Sequence, residues 1–374
     1  MHFFIFSEKD TTLYQASGSQ NTGLDEILEV RKDMSPSGKS INVSRALIEF
    51  DLKSATKIKN DFPNKSFKYF LNLFDAKPSA LSVSQSLYAY PISGSWTMGQ
   101  GRLDDNPITT EGCSWNFRFS RGEGTLWRPP ISASGGNWFT GSGFEASQSL
   151  THKTEDIRMD VTDIVNKWLD ETIPNNGFIV KRSGSLGLIT TGSNDEEGNT
   201  TQLGNLSFFS SDTHTKYPPT LEVEWDDSVW NTGSLSPLSN TDIDDLVVYM
   251  KGLRPEYKEK SRAKFRLVGR TRFPEKTFDT SPSILNVKYL PSGSSNGDGS
   301  FYSITDAETE DVIVPFGSGS KISCDSIGNY FNLDLNGYQP ERFYNLLFQV
   351  VSGSGTNDEQ RIFIDEGFTF KVSI

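Results

Sequence analysis

The residues that could carry catalysis or bind a metal are few and scattered. The three histidines are His2, His152 and His214. None has a cysteine, aspartate or glutamate at the spacing of metal ligands, so the sequence predicts no metal site of the zinc type. There is also no nucleophile elbow, phosphate-binding loop or dinucleotide fingerprint, and no pair of carboxylates that can be placed across a groove. We therefore expect a protein that is not an enzyme and that needs no cofactor.

Two acidic runs could supply oxygen ligands to calcium. They are Asp104-Asp105-Asn106 and Asn194–Glu197. Calcium prefers six to eight such oxygens, but neither run has the spacing of a helix-loop-helix calcium site. We interpret both runs as solvated loops, and a structural calcium ion stays open as the alternative.

One stretch, residues 96–138, is rich in tryptophan and arginine. Its candidate contact residues are Trp115, Trp127, Trp138, Arg118 and Arg128. Exposed aromatic rings can stack on sugars or anchor protein interfaces, and arginine supports hydrogen-bonded contacts. The alternative is that each tryptophan packs beneath a long loop. On the contact hypothesis, replacing Trp127 and Trp138 by alanine leaves the fold intact and weakens an interaction.

A second stretch, residues 254–272, is the one strongly basic part of an acidic chain. It contains Arg254, Arg262, Arg266, Arg270 and Arg272, together with three lysines. Such a stretch can dock electrostatically onto an acidic partner subunit. The alternative is a strand with an ordinary solvated face.

Composition limits the class of protein. A length of 374 residues suggests two or three domains, and 12% aromatic residues are enough for packed cores. The net charge of −12 argues against nucleic-acid binding, which needs clustered cations. The N-terminus, MHFFIFSEKD, has an apolar run too short for a signal peptide, and no run approaches the ~18 residues that span a membrane. We expect no signal peptide, no membrane contact and synthesis in the cytoplasm.

The pattern of apolar residues predicts an all-β chain with one short helix. The segment 44–52, SRALIEFDL, alternates as a strand does. Near residues 160–169, Ile164, Val165 and Trp168 recur at helical spacing. Asn175-Asn176-Gly177 then provides residues that tolerate positive φ, before an apolar strand at Phe178–Lys181.

Turn-rich segments divide the predicted strands into two domains. We place a first β-sandwich at residues 1–226, a linker at 227–242 and a second β-sandwich at 243–374. The proposed linker, DDSVWNTGSLSPLSN and the residues after it, is polar and rich in Gly, Ser and Pro. About nine short strands separated by Gly-Ser loops follow it, among them residues 247–250, 263–268, 344–350, 361–364 and 368–374.

The first domain resembles the DNRLRE family over residues 8–226. The matching pieces occur in the family's order: Thr12–Tyr14, Asn21-Thr22-Gly23, Ser44–Leu52, Ser93–Trp96, Asn106-Pro107, Asp160–Lys181, Phe208–Ser211 and Tyr217–Trp225. The literal DNRLRE run is absent, and residues 112–150 are longer and richer in Gly and Trp than the family's pattern. The resemblance implies a jelly-roll sandwich related to carbohydrate-binding modules.

The second domain is similar to virion structural proteins of large tailed bacteriophages. The similar segments are Gly269–Phe278, Tyr302–Phe316 and Lys321–Arg342. The resemblance implies a virion protein of the tail, neck, baseplate periphery or capsid surface, present in many copies or as a homo-oligomer and docking onto other virion proteins. The alternative is a carbohydrate-binding module for cell-surface glycan, and one chain could have both roles.

Overall fold

The chain is all-β, as its sequence predicts. The computed structural model describes residues 1–34, 41–121, 125–128, 134–184, 196–238, 245–273, 288–292, 298–352 and 359–374. The chain forms two compact units. The N-terminal unit comprises residues 4–62 and 68–223, and the C-terminal unit comprises residues 1–3, 63–67 and 224–374. Two short segments from early in the chain therefore belong to the C-terminal unit, a division that composition does not reveal.

One sheet of ten strands forms the jelly-roll part of the fold and curls into a barrel-like shape. Its strands are β1 (His2–Tyr14), β2 (Ile27–Met34), β3 (Ile41–Phe50), β4 (Phe67–Leu73), β5 (Gln85–Pro91), β6 (Ala146–Leu150), β7 (Ile157–Asp160), β8 (Phe178–Lys181), β9 (Gly204–Phe209) and β10 (Thr220–Trp225). The strand order is β6-β5-β8-β3-β1-β10-β4-β7, and β2 joins β3 to β9.

The central strand β3 buries both of its faces. Its predicted alternation is correct, and Ala46, Ile48 and Phe50 are at most 1% exposed. Arg45 and Leu47, on the other face, are also fully buried. Strand β3 pairs with other strands along both edges, and side chains pack against both of its faces. A charged residue such as Arg45 can be buried there only when its charge is paired or hydrogen-bonded.

The predicted helix is present as α2 (Thr162–Leu169), and it packs its apolar side into the core. Its Trp168 ring lies 4.5 Å from the ring of Phe178 in β8. The predicted turn precedes β8, because Gly177 has φ 83° and its N–H donates to the Asn175 side chain at 3.1 Å. The expectation of a single helix was wrong, since α1 (Lys53–Asp61) also forms. Ala55 alone of its residues is buried, so α1 lacks the apolar stripe by which a helix is recognised in a sequence.

The C-terminal unit is a sandwich of two sheets. The first sheet contains β11 (Ser236–Pro237), β12 (Leu246–Lys251), β14 (Arg262–Thr271), β15 (Lys288–Tyr289), β18 (Ser323–Asp325) and β19 (Gly328–Asp334). The second contains β13 (Glu256–Lys258), β16 (Gly299–Asp306), β17 (Val312–Val314), β20 (Arg342–Ser352) and β21 (Gln360–Ser373). Aromatic rings fill the space between them: Phe331 of the first sheet lies 4.2 Å from Tyr302 of the second, and Phe265 lies 5.4 Å from Phe370.

Most of the segment expected to be a linker is instead part of this sandwich. The N–H of Asn231 donates to the carbonyl of Cys324 at 2.9 Å, and the N–H of Cys324 donates to Val229 at 3.0 Å. Further along, β11 pairs in parallel with β15, and Leu238 is buried. A polar composition does not keep a segment free when its backbone can pair with strand edges. Residues 239–242 lie outside the described part of the chain.

Within the described residues, no helix is long and apolar enough to cross a membrane. Both cysteines, Cys113 and Cys324, are buried free thiols.

Candidate functional site

The three candidate tryptophans are core residues and not an exposed platform. Trp115, Trp127 and Trp138 are 4%, 2% and 8% exposed, and they share one hydrophobic cluster with Leu13 and Ile179. Trp127 also donates its indole N–H to the carbonyl of Ser114 at 2.7 Å. A buried ring cannot stack on a sugar or a partner, so the contact hypothesis is wrong for these side chains, and the loop-core alternative describes them.

One of the two neighbouring arginines, Arg128, lies over a ring of this cluster. Arg128 donates from Nε to Asn137 Oδ1 at 2.7 Å, and its guanidinium lies 4.9 Å from the centre of the Trp138 ring. Partial burial lowers the pKa of Arg128. The Arg118 guanidinium lies 5.4 Å from the Phe119 ring. Both arginines are half-buried, and their described contacts are within the unit.

A buried group of charges lies against these aromatic rings. Arg45 binds Glu197 through two hydrogen bonds, Nε to Oε1 at 3.0 Å and NH2 to Oε2 at 2.6 Å. Lys181 Nζ lies 3.4 Å from the same carboxylate. All three side chains are at most 1% exposed. The Arg45 guanidinium also lies 4.8 Å from the centre of the Trp115 ring, which adds a cation–π contact.

One residue of the second acidic run belongs to this charge group. Glu197, the last residue of the second acidic run, has both oxygens occupied by cations of the chain. Asn194 and Asp195 lie outside the described residues. In the first run, Asp105 Oδ2 accepts from Thr109 Oγ1 at 2.6 Å and from the Arg102 N–H at 2.9 Å. Asp105 therefore shapes its own loop.

The predicted basic stretch forms a surface, which we call the basic face. It consists of Arg262, Lys264, Arg266 and Arg270 of β14 and Lys251 of β12. The β14 residues are two or four positions apart, so they project from the same side of the sheet. Lys251 is the register partner of Arg266 and shares that side. Lys251, Arg262 and Lys264 are exposed, and Arg266 and Arg270 are partly exposed.

Neighbouring strands hold part of this charge in place. Arg266 forms two hydrogen bonds to Asp325 of β18, at 3.0 and 2.7 Å, and Lys264 Nζ reaches the same carboxylate at 3.0 Å. The hydrogen bonds from Arg266 hold the pKa of Asp325 well below its usual range. Lys264 Nζ also lies 3.5 Å from the centre of the Tyr330 ring.

The basic face keeps an excess of positive charge. Its five cations share the side of the sheet with two carboxylates, Asp325 and Asp334, and Asp334 is the register partner of Arg262. Five minus two leaves an excess of three positive charges among the described residues of this side of the sheet, on a chain whose net charge is −12. Asp227 lies 3.9 Å from Arg262, and counting its carboxylate as well leaves an excess of two.

The two remaining predicted arginines lie beside the basic face. Arg272 is exposed just after β14, and its N–H donates to the carbonyl of Asp245 at 2.6 Å. Arg254 is exposed in the loop between β12 and β13. Sequence reasoning had overlooked Lys251 because it precedes the arginine-rich stretch, and the register of β12 on β14 brings it alongside.

Comparisons with known proteins leave the chain without an assigned family. No protein-family model matches it, and no curated protein matches it by sequence. Among solved structures, a DUF4785 family protein from Legionella pneumophila is similar at 9% identity with a TM-score of 0.20. The match covers 98% of this chain and 65% of that one, so the chain spans about two thirds of that protein's length. At this TM-score the likeness carries no argument about fold or function.

Proposed function

We propose that the chain is a non-enzymatic structural protein of a tailed bacteriophage particle that docks onto an acidic virion protein through the basic face. Its place in the particle would be the tail, neck, baseplate periphery or capsid surface. The assignment to a phage rests on the resemblance of residues 243–374 to virion proteins. The docking role rests on one observation, the five cations on a single side of the first sheet of the C-terminal sandwich.

The physical argument for docking is the contrast between this surface and the rest of the chain. A chain with a net charge of −12 repels acidic proteins at long range. A local excess of positive charge reverses that repulsion in one orientation and so selects the surface that makes contact. Because exposed charges are screened by salt, docking of this kind weakens as ionic strength rises.

The carbohydrate-binding alternative has lost its main support. It required exposed tryptophan rings, and Trp115, Trp127 and Trp138 are all buried. We therefore keep glycan binding only as an outcome that the particle experiment can detect.

The first test is mass spectrometry of purified particles with the copy number of the chain. Tens of copies support a tail, neck or baseplate position, and hundreds support a capsid decoration. Absence from particles, with the chain free in the medium, overturns the proposal and puts glycan binding first.

The second test asks whether the basic face is the contact. Lys251→Glu with Arg270→Glu reverses two charges on it while sparing Arg266, which is held by Asp325. The matched control is Lys57→Glu with Lys65→Glu, an equal change of net charge at exposed positions elsewhere. We expect the first pair alone to reduce incorporation into particles. Equal incorporation of both pairs would refute the role of the basic face.

A further inference from the structure

Among the described strands, β12 lies at the edge of the first sheet of the C-terminal sandwich. Among the described strands it pairs with β14 alone, over Leu246–Lys251. No described backbone hydrogen bond joins residues 246–251 to any element other than β14. A strand in this position presents one row of N–H and C=O groups that a further strand can pair with.

The sequence of β12 lacks the usual protection of an edge. Proteins commonly shield such strands with proline, charged residues or bulges. The first five residues of β12, LVVYM, contain no charge, proline or glycine, and they pair with β14 without a register shift. Lys251, at the end of the strand, is its one charged residue. The edge is therefore regular over the length that an added strand needs.

The two sides of β12 define what an added strand must look like. Leu246 and Val248 face the sandwich interior and are 7% and 1% exposed. Tyr249, which is 43% exposed, and Lys251 face the side that carries the basic face. A strand added beside β12 continues this alternation, with apolar residues toward the interior and residues near the basic face on the other side.

Charge decides between the two possible kinds of strand. A second copy of β12 pairing with the first would place two basic faces in one continuous sheet, with Lys251 and Arg270 of both copies on the same side. Like charges on neighbouring strands oppose pairing. A strand with acidic residues at alternate positions meets the excess positive charge instead.

We propose that β12 receives an extended segment of the partner, with apolar and acidic residues in alternation, as an added strand of this sheet. This inference rests on the proposed function, because it names the part of the acidic partner that meets the basic face. Main-chain pairing to β12 supplies the affinity, and the basic face supplies the selection for acidic side chains.

The experiment uses the full chain and three synthetic eight-residue peptides of alternating residues. They are valine-glutamate, valine-glutamine and valine-lysine, all with blocked ends. Binding is measured by fluorescence anisotropy at low and physiological ionic strength, and hydrogen exchange locates the protected amides. We expect the glutamate peptide to bind at least about tenfold more tightly than the glutamine peptide, a difference of about 1.4 kcal/mol. It should protect amides of residues 246–251, and the lysine peptide should not bind.

Variants and controls keep the inference separate from the proposed function. Lys251→Glu with Arg270→Glu should abolish the preference for glutamate, and Lys57→Glu with Lys65→Glu should keep it. Equal binding of all three peptides, protection elsewhere, or protection of β12 by self-association without peptide would overturn the strand-addition inference. None of these outcomes bears on the proposal that the chain is part of a phage particle, which the copy-number measurement tests independently.

Discussion

Replacing Glu197 by glutamine should strongly destabilise the N-terminal unit. The carboxylate of Glu197 is the one described anion that contacts both Arg45 and Lys181, and all three side chains are at most 1% exposed. Glutamine keeps the size of the side chain and one acceptor oxygen but removes the negative charge. The variant would remove the negative charge that these two buried cations share, with Arg45 still hydrogen-bonded to Gly135.

The expected magnitude follows from the cost of separating a buried ion pair. Removing one member of such a pair costs about 3–5 kcal/mol, because the remaining charge cannot return to water. The cation–π contacts of Arg45 with Trp115 and Trp138, at 4.8 and 5.1 Å, remain in the variant and offset part of this loss. Since a domain is stable by only about 5–15 kcal/mol, the variant should lose a large part of that stability.

The assay is urea denaturation of the full chain followed by tryptophan fluorescence. Trp96, Trp115, Trp127, Trp138 and Trp168 lie in the N-terminal unit, and two further tryptophans lie in the other. Fluorescence therefore reports mainly on the unit that carries the substitution. The midpoint should fall while the slope of the transition stays unchanged.

The control is Asp170→Asn, which removes the partner of Lys59 in an exposed ion pair of the same unit. Exposed pairs contribute about 0–1 kcal/mol, so this variant should unfold almost as the native chain does. A loss below about 1 kcal/mol for Glu197→Gln would refute the reasoning, since it would show that the buried cations do not depend on this carboxylate.

Three further substitutions test the packing, the titration and the backbone of the N-terminal unit. Trp127→Ala should lower the free energy of unfolding, measured by urea denaturation, by about 3–5 kcal/mol, because the ring is part of the core. A loss under about 1 kcal/mol would instead support the expectation that this ring makes an intermolecular contact. Burial raises the pKa of Asp10 from 3.8 to about 6, so between about pH 4 and 6 the folded state keeps a proton on this carboxyl that the unfolded chain has already lost. The stability that protonated Asp10 contributes is therefore fully present at low pH and is lost as the pH rises from about 4 to 6. The free energy of unfolding of the native chain, relative to that of Asp10→Asn, should therefore fall by up to about 3 kcal/mol over that range, since each pKa unit is worth ~1.4 kcal/mol. Denaturation curves at several pH values measure this difference, and a difference that does not change with pH would contradict the prediction. Gly177→Ala should lower the melting temperature, because φ is 83° and the new Cβ would lie 2.3 Å from the Ile48 carbonyl oxygen; an unchanged melting temperature would show that the turn can shift.

Local patterns were sufficient to predict several strands and one helix. Helix α2 and strand β8 follow from apolar spacing and from the turn residues between them, all of which lie close together in the chain. The strands expected near 247–250, 263–268 and 344–350 are β12, β14 and β20. The two strands expected at 361–364 and 368–374 are one strand, β21, because an irregularity in its pairing with β20 lets it continue.

The two candidate contact regions differ in how far local patterns could predict them. Arg262, Arg266 and Arg270 are four positions apart, which places them on one side of any strand, so the basic face could be predicted from the sequence. The burial of Trp115 was not, because it depends on Arg45, a residue from a distant strand whose guanidinium covers the ring. The same holds for Glu197, whose run of acidic residues looks like a solvated loop until β3 and β8 bring Arg45 and Lys181 beside it.

The sequence by itself determined the all-β class, the positions of several strands, the excess of negative charge and the basic side of β14. These depend on composition and on residues a few positions apart, where the geometry of a strand or helix is known in advance. Only the tertiary structure decided which tryptophans are buried, which carboxylate lies against the buried cations, that residues 229–238 belong to the sandwich, and that β12 is an edge strand among those described. Those properties come from pairing and packing between segments far apart in the chain, where no local pattern specifies the neighbour.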